Sequence, residues 1–375
     1  MKSRIFSVDF LTILILCLCT ADLIQQNHNI VKADKKEEKI TLKEIYKDYF
    51  PIGAAVGYKD LVVKKNVSRF IQEQYNSITP ENEMKPRRLQ AAENIFSWSE
   101  ADKMVEFAKK NNMKIRGHTL VWPLMTPEWM YYDGTKLATK ELLLKRLKNH
   151  IYQVVKRYKG KTYCWDVVNE CVANIGEKTT FRKVDSLYRI AGEEYVEKAF
   201  QYAHEADPSA KLFYNDTGFD LPVKRDRIYS FLKHLKEKGI PIHGVGMQTH
   251  LGIDGIPEKM FRENIDLFSS LGLEVQVTEL DVSIYKARAK AEEVKMFDDD
   301  YYTLEVQHKQ LEIYDMIFRV CREKKDKVTG ITLWSAYDWD NFLFRKFKKK
   351  NYPYLFDDKL QPKKTFYKVT SFTSE

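Results

Sequence analysis

Cysteine is scarce in this chain, and the few cysteines present form no metal-binding or disulfide pattern. The 375 residues include five cysteines, none of them spaced as C-x-x-C. Cys17 and Cys19 lie in an N-terminal segment that has the pattern of a leader, so a processed protein would keep only three. These are Cys164, Cys171 and Cys321. An odd number without paired spacing argues against a disulfide framework and against a zinc site, so we expect buried thiols.

The chain also lacks a Pro-, Gly- or Ser-rich linker, and no G-x-G-x-x-G phosphate loop follows the first apolar run. Its length and its apolar content of 44% are sufficient for one large buried core. The formal net charge of +9 arises from 62 basic and 53 acidic residues that are interleaved along the sequence. Interleaved charges do not indicate a nucleic-acid partner. A single enzyme-sized domain is the simplest interpretation.

The N-terminal residues have the composition of an export signal. Two basic residues precede an apolar run at residues 11–24, which is too short to span a bilayer comfortably. Cleavage after Ala21 or after Ala33 fits the sequence, and lipidation of one of the two leader cysteines is an alternative that would attach the protein to a membrane. We therefore interpret residues 1–33 as a signal and disordered leader. The predicted location is secreted, periplasmic or cell-surface.

From about residue 50 onward, short apolar runs alternate with longer amphipathic stretches, which predicts strands alternating with helices. The predicted strands are residues 50–57, 76–84, 113–122, 162–170, 210–218, 244–251, 273–282 and 330–338. Eight strand–helix repeats with continuous apolar strands favour an α/β fold with a single (β/α)8 TIM barrel over an open doubly wound sheet. We place this barrel at residues 45–372.

Polar side chains collect at the predicted carboxyl ends of the strands, which meet on one face of such a barrel. A mixture of carboxylates, amides, histidines and tryptophans suits a carbohydrate, because sugar hydroxyls need donors and acceptors and sugar rings stack on indole. The residues are Glu81, Asn82, Lys85, His118, Trp122, Asn169, Glu170, Asn215, Asp216, Gln248, His250, Glu279, Asp281, Trp334 and Asp338.

Two of these residues are the candidates for chemistry. Glu170 closes the run WDVVNE and Glu279 lies in VTELDV, and a carboxylate after buried residues is costly to desolvate unless it is used. Glycosidic bond cleavage needs one protonated and one ionised carboxyl group. His250 and Asp281 are placed to hold Glu279 as an anion, whereas the apolar run before Glu170 favours its protonated form. We assign Glu279 as nucleophile and Glu170 as acid/base, with Asn169 contacting a sugar 2-hydroxyl.

Eight ordered motifs also resemble the signatures of glycoside hydrolase family 10, the retaining β-xylanases. They are TPENEMKP (79–86), RGHTLVW (116–122), WDVVNE (165–170), AKLFYND (210–216), GVGMQTHL (244–251), VTELDV (277–282), GITLWS (330–335) and YLFDDKLQPKKTFY (354–367). The likeness spans roughly residues 45–370, and the order and spacing make it more specific than any single motif. It implies a (β/α)8 barrel and a covalent glycosyl-enzyme, with xylan as substrate and no cofactor.

The resemblance also implies roles for individual residues. Glu170 matches the acid/base, Glu279 the nucleophile and His250 the histidine that holds the nucleophile. The positions matching sugar-binding residues on the non-reducing side of the cut are Glu81, Asn82, Lys85, His118, Trp122, Asn169, Gln248 and Trp334. Asn215 and, in the loop after the eighth strand, Trp339 or Phe342 complete the predicted binding set.

Several positions depart from the family pattern, all of them in the predicted sugar-binding cleft. Pro86 and Phe342 stand where the family usually has tryptophan, and Thr217 stands where it has tyrosine. Residues 123–125 read Pro-Leu-Met in place of His-Ser-Gln. Two further hypotheses therefore remain beside an exported endo-β-1,4-xylanase. One is the same chemistry on another β-linked glycan or glycoconjugate, and the other is a non-catalytic carbohydrate-binding relative.

A basic cluster follows the eighth predicted strand. It comprises Arg345, Lys346, Lys348, Lys349 and Lys350. One hypothesis is that the cluster contacts uronic acid branches of glucuronoxylan. The alternative is a solvated loop, which is what most charge runs are.

Overall fold

The computed structural model describes the chain from Ile40 to Phe372, with short internal gaps. The described residues are 40–372 except 175, 178, 183–184, 289–292, 295–300, 339–344 and 346–347. The described residues from Thr41 onward form one compact unit. The predicted signal and leader, and with them the two leader cysteines, lie outside the described residues.

Eight parallel strands form the central sheet, and each overlaps one of the eight predicted runs, although the eighth spans Val328–Leu333 rather than 330–338. They are β1 (Ile52–Val56), β2 (Ser77–Pro80), β3 (Lys114–Val121), β4 (Cys164–Asn169), β5 (Lys211–Asp216), β6 (Gly244–Met247), β7 (Glu274–Val282) and β8 (Val328–Leu333). Each strand pairs with its sequence neighbour, and β8 pairs with both β7 and β1. The sheet therefore closes, which confirms the predicted (β/α)8 barrel.

Helices connect the strands on the outside of the barrel. They are α1 (Leu42–Ile45), α2 (Lys65–Gln74), α3 (Pro86–Leu89), α4 (Ser99–Lys110), α5 (Lys140–Arg157), α6 (Ser186–Ala191), α7 (Glu194–Ala206), α8 (Pro222–Glu237), α9 (Glu258–Ser269), α10 (Leu304–Glu323) and α11 (Lys364–Thr370). The long helices are amphipathic and turn their apolar stripe toward the sheet, which makes the strands buried on both faces. Within the part of the chain that the structure describes, no helix combines the length and apolar character needed to span a bilayer.

A short additional strand, His250–Leu251, extends the sheet above β6. It pairs in parallel with the end of β7, so that His250 lies beside Asp281 and Leu251 beside Val282. β7 consequently continues beyond its pairing with the neighbouring strands β6 and β8. Cys164, Cys171 and Cys321 are free and buried, as expected.

The barrel interior contains a buried ion pair that the sequence did not lead us to expect. The Arg116 guanidinium donates to both carboxylate oxygens of Asp166, and its Nη1 donates to Gln276 Oε1 at 2.5 Å. Asp166 also contacts His118 Nδ1 at 2.9 Å. Because each charged group has hydrogen-bonding partners, the cost of burying it is offset. The pair also orients His118 at the upper end of the barrel.

Glycines allow large side chains to approach the strands closely. A Cβ atom on Gly117 would lie 2.2 Å from the Trp165 ring, and one on Gly246 would lie 2.3 Å from Asn215 Oδ1. Neither position has room for a methyl group. Gly57, in contrast, has its nearest atom at 3.7 Å from such a Cβ, which is an ordinary contact.

We expect Gly117→Ala to lower the free energy of unfolding by about 1–3 kcal/mol, because the methyl group must displace a fully buried indole. Gly57→Ala is the matched control and should change stability by less than about 1 kcal/mol. Denaturant unfolding followed by tryptophan fluorescence measures both variants. Equal stability of the two variants would show that the contact with Trp165 is not a constraint on the fold.

Candidate active site

Glu170 lies at the carboxyl end of the barrel, in the first position after β4. Its backbone has a φ of 56°, in the left-handed region that non-glycine residues rarely adopt and that is enriched at functional sites. The backbone N–H of Glu170 donates to the carbonyl of Asn215 at 2.9 Å. The chain thus turns at Glu170 while the neighbouring strand holds its backbone in place.

Glu279 occupies a different position from the one expected. It does not end its strand but lies within β7, three residues before Val282. Since side chains alternate along a strand, Glu279 and Asp281 lie on the same side. The added strand places His250 against both: its Nε2 is 3.1 Å from Glu279 Oε2 and its Nδ1 is 2.6 Å from Asp281 Oδ2. The predicted association of these three residues is therefore present.

The electrostatics of this triad favour an ionised Glu279. Burial alone would raise the pKa of Glu279, but the hydrogen bond from His250, the charges of His118 and His250, and the Asn215 amide together hold that pKa below its usual value. Burial likewise opposes charge on His250, yet the adjacent Asp281 and Glu279 raise the pKa of His250 well above its usual value. Glu279 is therefore an anion beside a protonated imidazole at neutral pH.

Asn215 lies beneath Glu279 and is fully buried. Its Nδ2 donates to Glu279 Oε1 at 2.7 Å and to Asn169 Oδ1 at 2.9 Å. Its Oδ1 accepts from Thr278 Oγ1 at 2.6 Å. The structure thus gives Asn215 a role in orienting Glu279. Its predicted contact with a sugar stays a prediction.

Glu170 is surrounded by hydrogen-bond donors rather than by the apolar side chains that the preceding run led us to expect. Gln248 Nε2 donates to its Oε1 at 3.0 Å, and the Trp122 indole donates to its Oε2 at 3.2 Å. Arg182 Nη2 lies 3.6 Å from the same Oε2. The apolar residues of β4 are buried in the core, whereas Glu170 lies one residue beyond the end of the strand.

The two glutamates are joined by a continuous chain of hydrogen bonds. Gln248 Nε2, bound to Glu170, also donates to Asn169 Oδ1 at 3.2 Å. Asn169 in turn accepts from Asn215, which binds Glu279. Both carboxylates therefore belong to one site, as the convergence of strand ends predicted.

Other predicted binding residues surround this pair. The Trp334 ring meets the rings of His118 and His250 edge-on, with centroids 5.3 and 6.2 Å away. Lys85 Nζ lies 5.0 Å above the Trp122 ring and donates to Asn82 Oδ1 at 3.1 Å.

Burial lowers the pKa of Lys85, although the neighbouring charges of Glu279, Glu81 and Glu170 oppose that shift. Lys85 therefore interacts electrostatically with both candidate catalytic carboxylates and with Glu81. Trp339 and Phe342 lie outside the described residues, so their predicted roles stay predictions.

Three contacts in the site were not predicted. Arg182 reaches Glu170 from a loop twelve residues further along the chain, and nothing in the local sequence shows where that loop folds. Gly246 provides the space that Asn215 occupies. Thr278 directly precedes Glu279, so its hydrogen bond to Asn215 is the one contact for which the sequence offered a signal.

Paired glutamates on the carboxyl face of a (β/α)8 barrel, one held as an anion by histidine, define a glycoside hydrolase. The sequence profile of Glycosyl hydrolase family 10 matches residues 41–372, and the chain belongs to that family.

Curated relatives cover nearly the whole chain. A β-1,4-xylanase of Dictyoglomus thermophilum is 42% identical over 364 residues, which is 96% of this chain and 97% of that protein. Endo-1,4-β-xylanase B of Paenibacillus barcinonensis is 40% identical over 335 residues, covering 88% and 97% of the two chains.

Solved structures give the same result. Xylanase XynB of Paenibacillus barcinonensis, complexed with a conduramine derivative, superposes with a TM-score of 0.83 at 38% identity, covering 89% of this chain and 99% of that one. A mutant structure in complex with xylotriose has a TM-score of 0.84 at 38% identity, covering 89% and 100%.

We expect Asp281→Asn to lower the pKa of His250, because the variant removes the largest of the charges that raise it. In the unchanged protein the imidazole should remain protonated through neutral pH and lose its proton only in the alkaline range. In the variant the loss should move toward neutral pH. NMR titration of the His250 ring measures both values.

Asp266→Asn, on the surface of α9, is the matched control and should leave the His250 titration unchanged. An identical titration curve in Asp281→Asn would contradict the charge arrangement described for the triad.

Proposed function

We propose that the protein is an exported retaining endo-β-1,4-xylanase that hydrolyses xylan by double displacement. The observation that carries this proposal is the Glu279–His250–Asp281 triad, joined through Asn215, Asn169 and Gln248 to Glu170. The xylanase names of the relatives and the xylotriose complex support xylan as substrate. The composition of residues 11–24 supports export, and lipidation of a leader cysteine would add membrane attachment.

In the first step Glu279 attacks the anomeric carbon while Glu170 acts as general acid. The bond from that carbon to the leaving-group oxygen breaks as the Glu279 oxygen bonds to the carbon, and the Glu170 proton passes to the departing oxygen. His250 and Asn215 hold the two oxygens of Glu279, which fixes the direction of attack. Direct attack requires the two carboxyl groups to lie about 5–5.5 Å apart, and we expect that separation here.

In the second step Glu170, now ionised, acts as general base. It removes a proton from water, the water oxygen bonds to the anomeric carbon, and the ester bond to Glu279 breaks. Two inversions give net retention of configuration. Trp122 and Gln248 donate to the Glu170 carboxyl group and Arg182 lies beside it, so they fix its position for both proton transfers.

The remaining polar residues are assigned to sugar binding. Asn169 lies between the two catalytic glutamates, where it can contact the 2-hydroxyl of the sugar under attack. His118 has its Nδ1 held by Asp166, so its other ring nitrogen is left to contact a sugar hydroxyl. Trp334 supplies an apolar surface beside both histidines.

A digestion panel separates xylanase activity from the same chemistry on another β-linked glycan. We expect short β-1,4-linked oligosaccharides to be released from xylan and arabinoxylan, with much lower rates on mixed-linkage glucan. Chromatography of the products measures rate and linkage together. Preference for the glucan would reject xylan as substrate, and binding of xylan with no product from any substrate would favour a non-catalytic role.

We expect Glu279→Ala to lose essentially all hydrolytic activity, and we expect azide to rescue an aryl β-xylobioside with inversion. Azide would occupy the space of the missing carboxylate and attack from that side, which gives an α-glycosyl azide. Proton NMR of the product distinguishes the two anomers.

Glu170→Ala is the matched comparison for this experiment. There the nucleophile remains, so azide should intercept the glycosyl-enzyme and give the retained β-azide. A β-azide from Glu279→Ala, or an α-azide from Glu170→Ala, would reverse the assignment of the two residues.

A further inference from the structure

A buried lysine on α8 contacts the segment that follows Glu170, and neither catalytic step uses it. Lys224 forms an ion pair with Asp216, at the end of β5, with a distance of 2.7 Å, and both side chains are fully buried. Lys224 Nζ also donates to Asn174 Oδ1 at 3.1 Å. Removing two charges from water costs free energy that their attraction barely repays, so the pair is better explained by what it holds in place.

Residues 171–182, here named the Arg182 loop, begin directly after Glu170 and return to it. The two ends of the loop are joined, because the backbone N–H of Arg182 donates to the carbonyl of Cys171 at 3.2 Å. Arg182 Nη2 consequently lies 3.6 Å from Glu170 Oε2. Asn174 belongs to the same loop, so the contact made by the buried lysine is a contact to the segment that carries Arg182.

Arg227, one turn further along α8, holds the main chain of the Arg182 loop. Its Nη1 donates to the carbonyl of Asn174 at 3.0 Å, and its Nη2 donates to the carbonyl of Glu177 at 2.5 Å. Residues three apart on a helix share a face, so Lys224 and Arg227 reach the loop from the same side. The helix therefore fixes both the side chain of Asn174 and the backbone around it.

Tyr214, on β5, connects the buried ion pair to the first residues of the loop. Tyr214 and Asp216 share one side of the strand, and the Tyr214 hydroxyl donates to the Asp216 carboxylate. The same hydroxyl oxygen accepts from the backbone N–H of Val172 at 3.2 Å and from Cys171 Sγ at 3.6 Å. The loop is thus anchored at its beginning by β5 and further along by α8, with Asp216 bound to both anchors.

We propose that Lys224 positions the acid/base: it fixes the Arg182 loop, and the loop places Arg182 beside Glu170. This inference rests on the proposed double-displacement function and adds what determines the position of the acid. A general acid must meet the leaving oxygen within hydrogen-bonding distance, so a displaced Glu170 carboxyl group transfers its proton more slowly. Attack by Glu279 needs little help from that proton when the leaving group is a weak base.

The test compares two aryl β-xylobiosides, one with a dinitrophenyl and one with an unsubstituted phenyl leaving group. kcat/KM reports the first step, for which the phenyl compound depends far more strongly on the acid. Asn174→Ala removes the amide that Lys224 holds and leaves the buried ion pair in place. We expect a loss of about two- to tenfold in kcat/KM for the phenyl compound, the range for one hydrogen bond, and a change of less than about twofold for the dinitrophenyl compound.

Lys224→Met should give the same split between the two leaving groups with a larger loss, because it removes the charge as well as the hydrogen bond. On an Arg182→Ala background neither substitution should lower kcat/KM further, since both act through Arg182. Asn149→Ala is the matched control. It removes a surface amide that donates to Asn94 Oδ1 at 3.1 Å on α5, and it should leave both rates unchanged.

Equal losses on the two glycosides, or no loss in either loop-anchor variant, would overturn the positioning role. Additive losses on the Arg182→Ala background would overturn it as well, because they would show that Lys224 does not act through Arg182. An unchanged protein that hydrolyses neither glycoside would instead reject the proposed function, and the positioning role would fall with it. Because Asn174 is exposed, Asn174→Ala keeps the test decisive even if Lys224→Met fails to fold.

Discussion

The contact on which the site depends is the His250 imidazole held between Glu279 and Asp281. Burial opposes ionisation of Glu279, and a neutral Glu279 cannot attack an anomeric carbon. The hydrogen bond from His250 is the largest of the effects that lower the pKa of Glu279. The contact exists because β7 runs past its pairing with β6 and β8 and pairs with His250–Leu251. This strand pairing thus contributes to keeping the candidate nucleophile ionised, and Asn215 holds the second oxygen of the same carboxylate.

The barrel stabilises this arrangement from below. Asp166, neutralised by Arg116, orients His118, and the missing side chain of Gly246 leaves space for Asn215. Buried ion pairs contribute little net stability, so these groups are better understood as fixing the positions of the residues above them. The outer end of the cleft is built differently. There the surface ion pairs Arg345–Glu81 and Arg88–Glu100 leave polar groups accessible to solvent.

Much of the fold followed from the sequence, because eight apolar runs separated by amphipathic stretches leave few alternatives to a closed parallel barrel. The pairing of Glu170 with Glu279 also followed, since carboxyl ends of parallel strands converge. The pattern could not show how deeply each polar side chain is buried. A polar residue at a strand end can face the cleft or lie under another side chain, and Asn215 lies under Glu279. Arg182 could not be found because loop conformation decides its contact, and the donors around Glu170 depend on its left-handed backbone.

The central claim is that the Glu279 carboxylate forms a covalent bond to the sugar. The most direct measurement is trapping with a 2-deoxy-2-fluoro-β-xylobioside that carries a good leaving group, followed by peptide mass spectrometry. The fluorine slows both steps, and the leaving group lets the first proceed faster than the second, so the intermediate accumulates. We predict one equivalent of label, attached to the peptide that contains Glu279. A label on another residue would contradict the account. Turnover of the substrate without any labelled protein would contradict it as well.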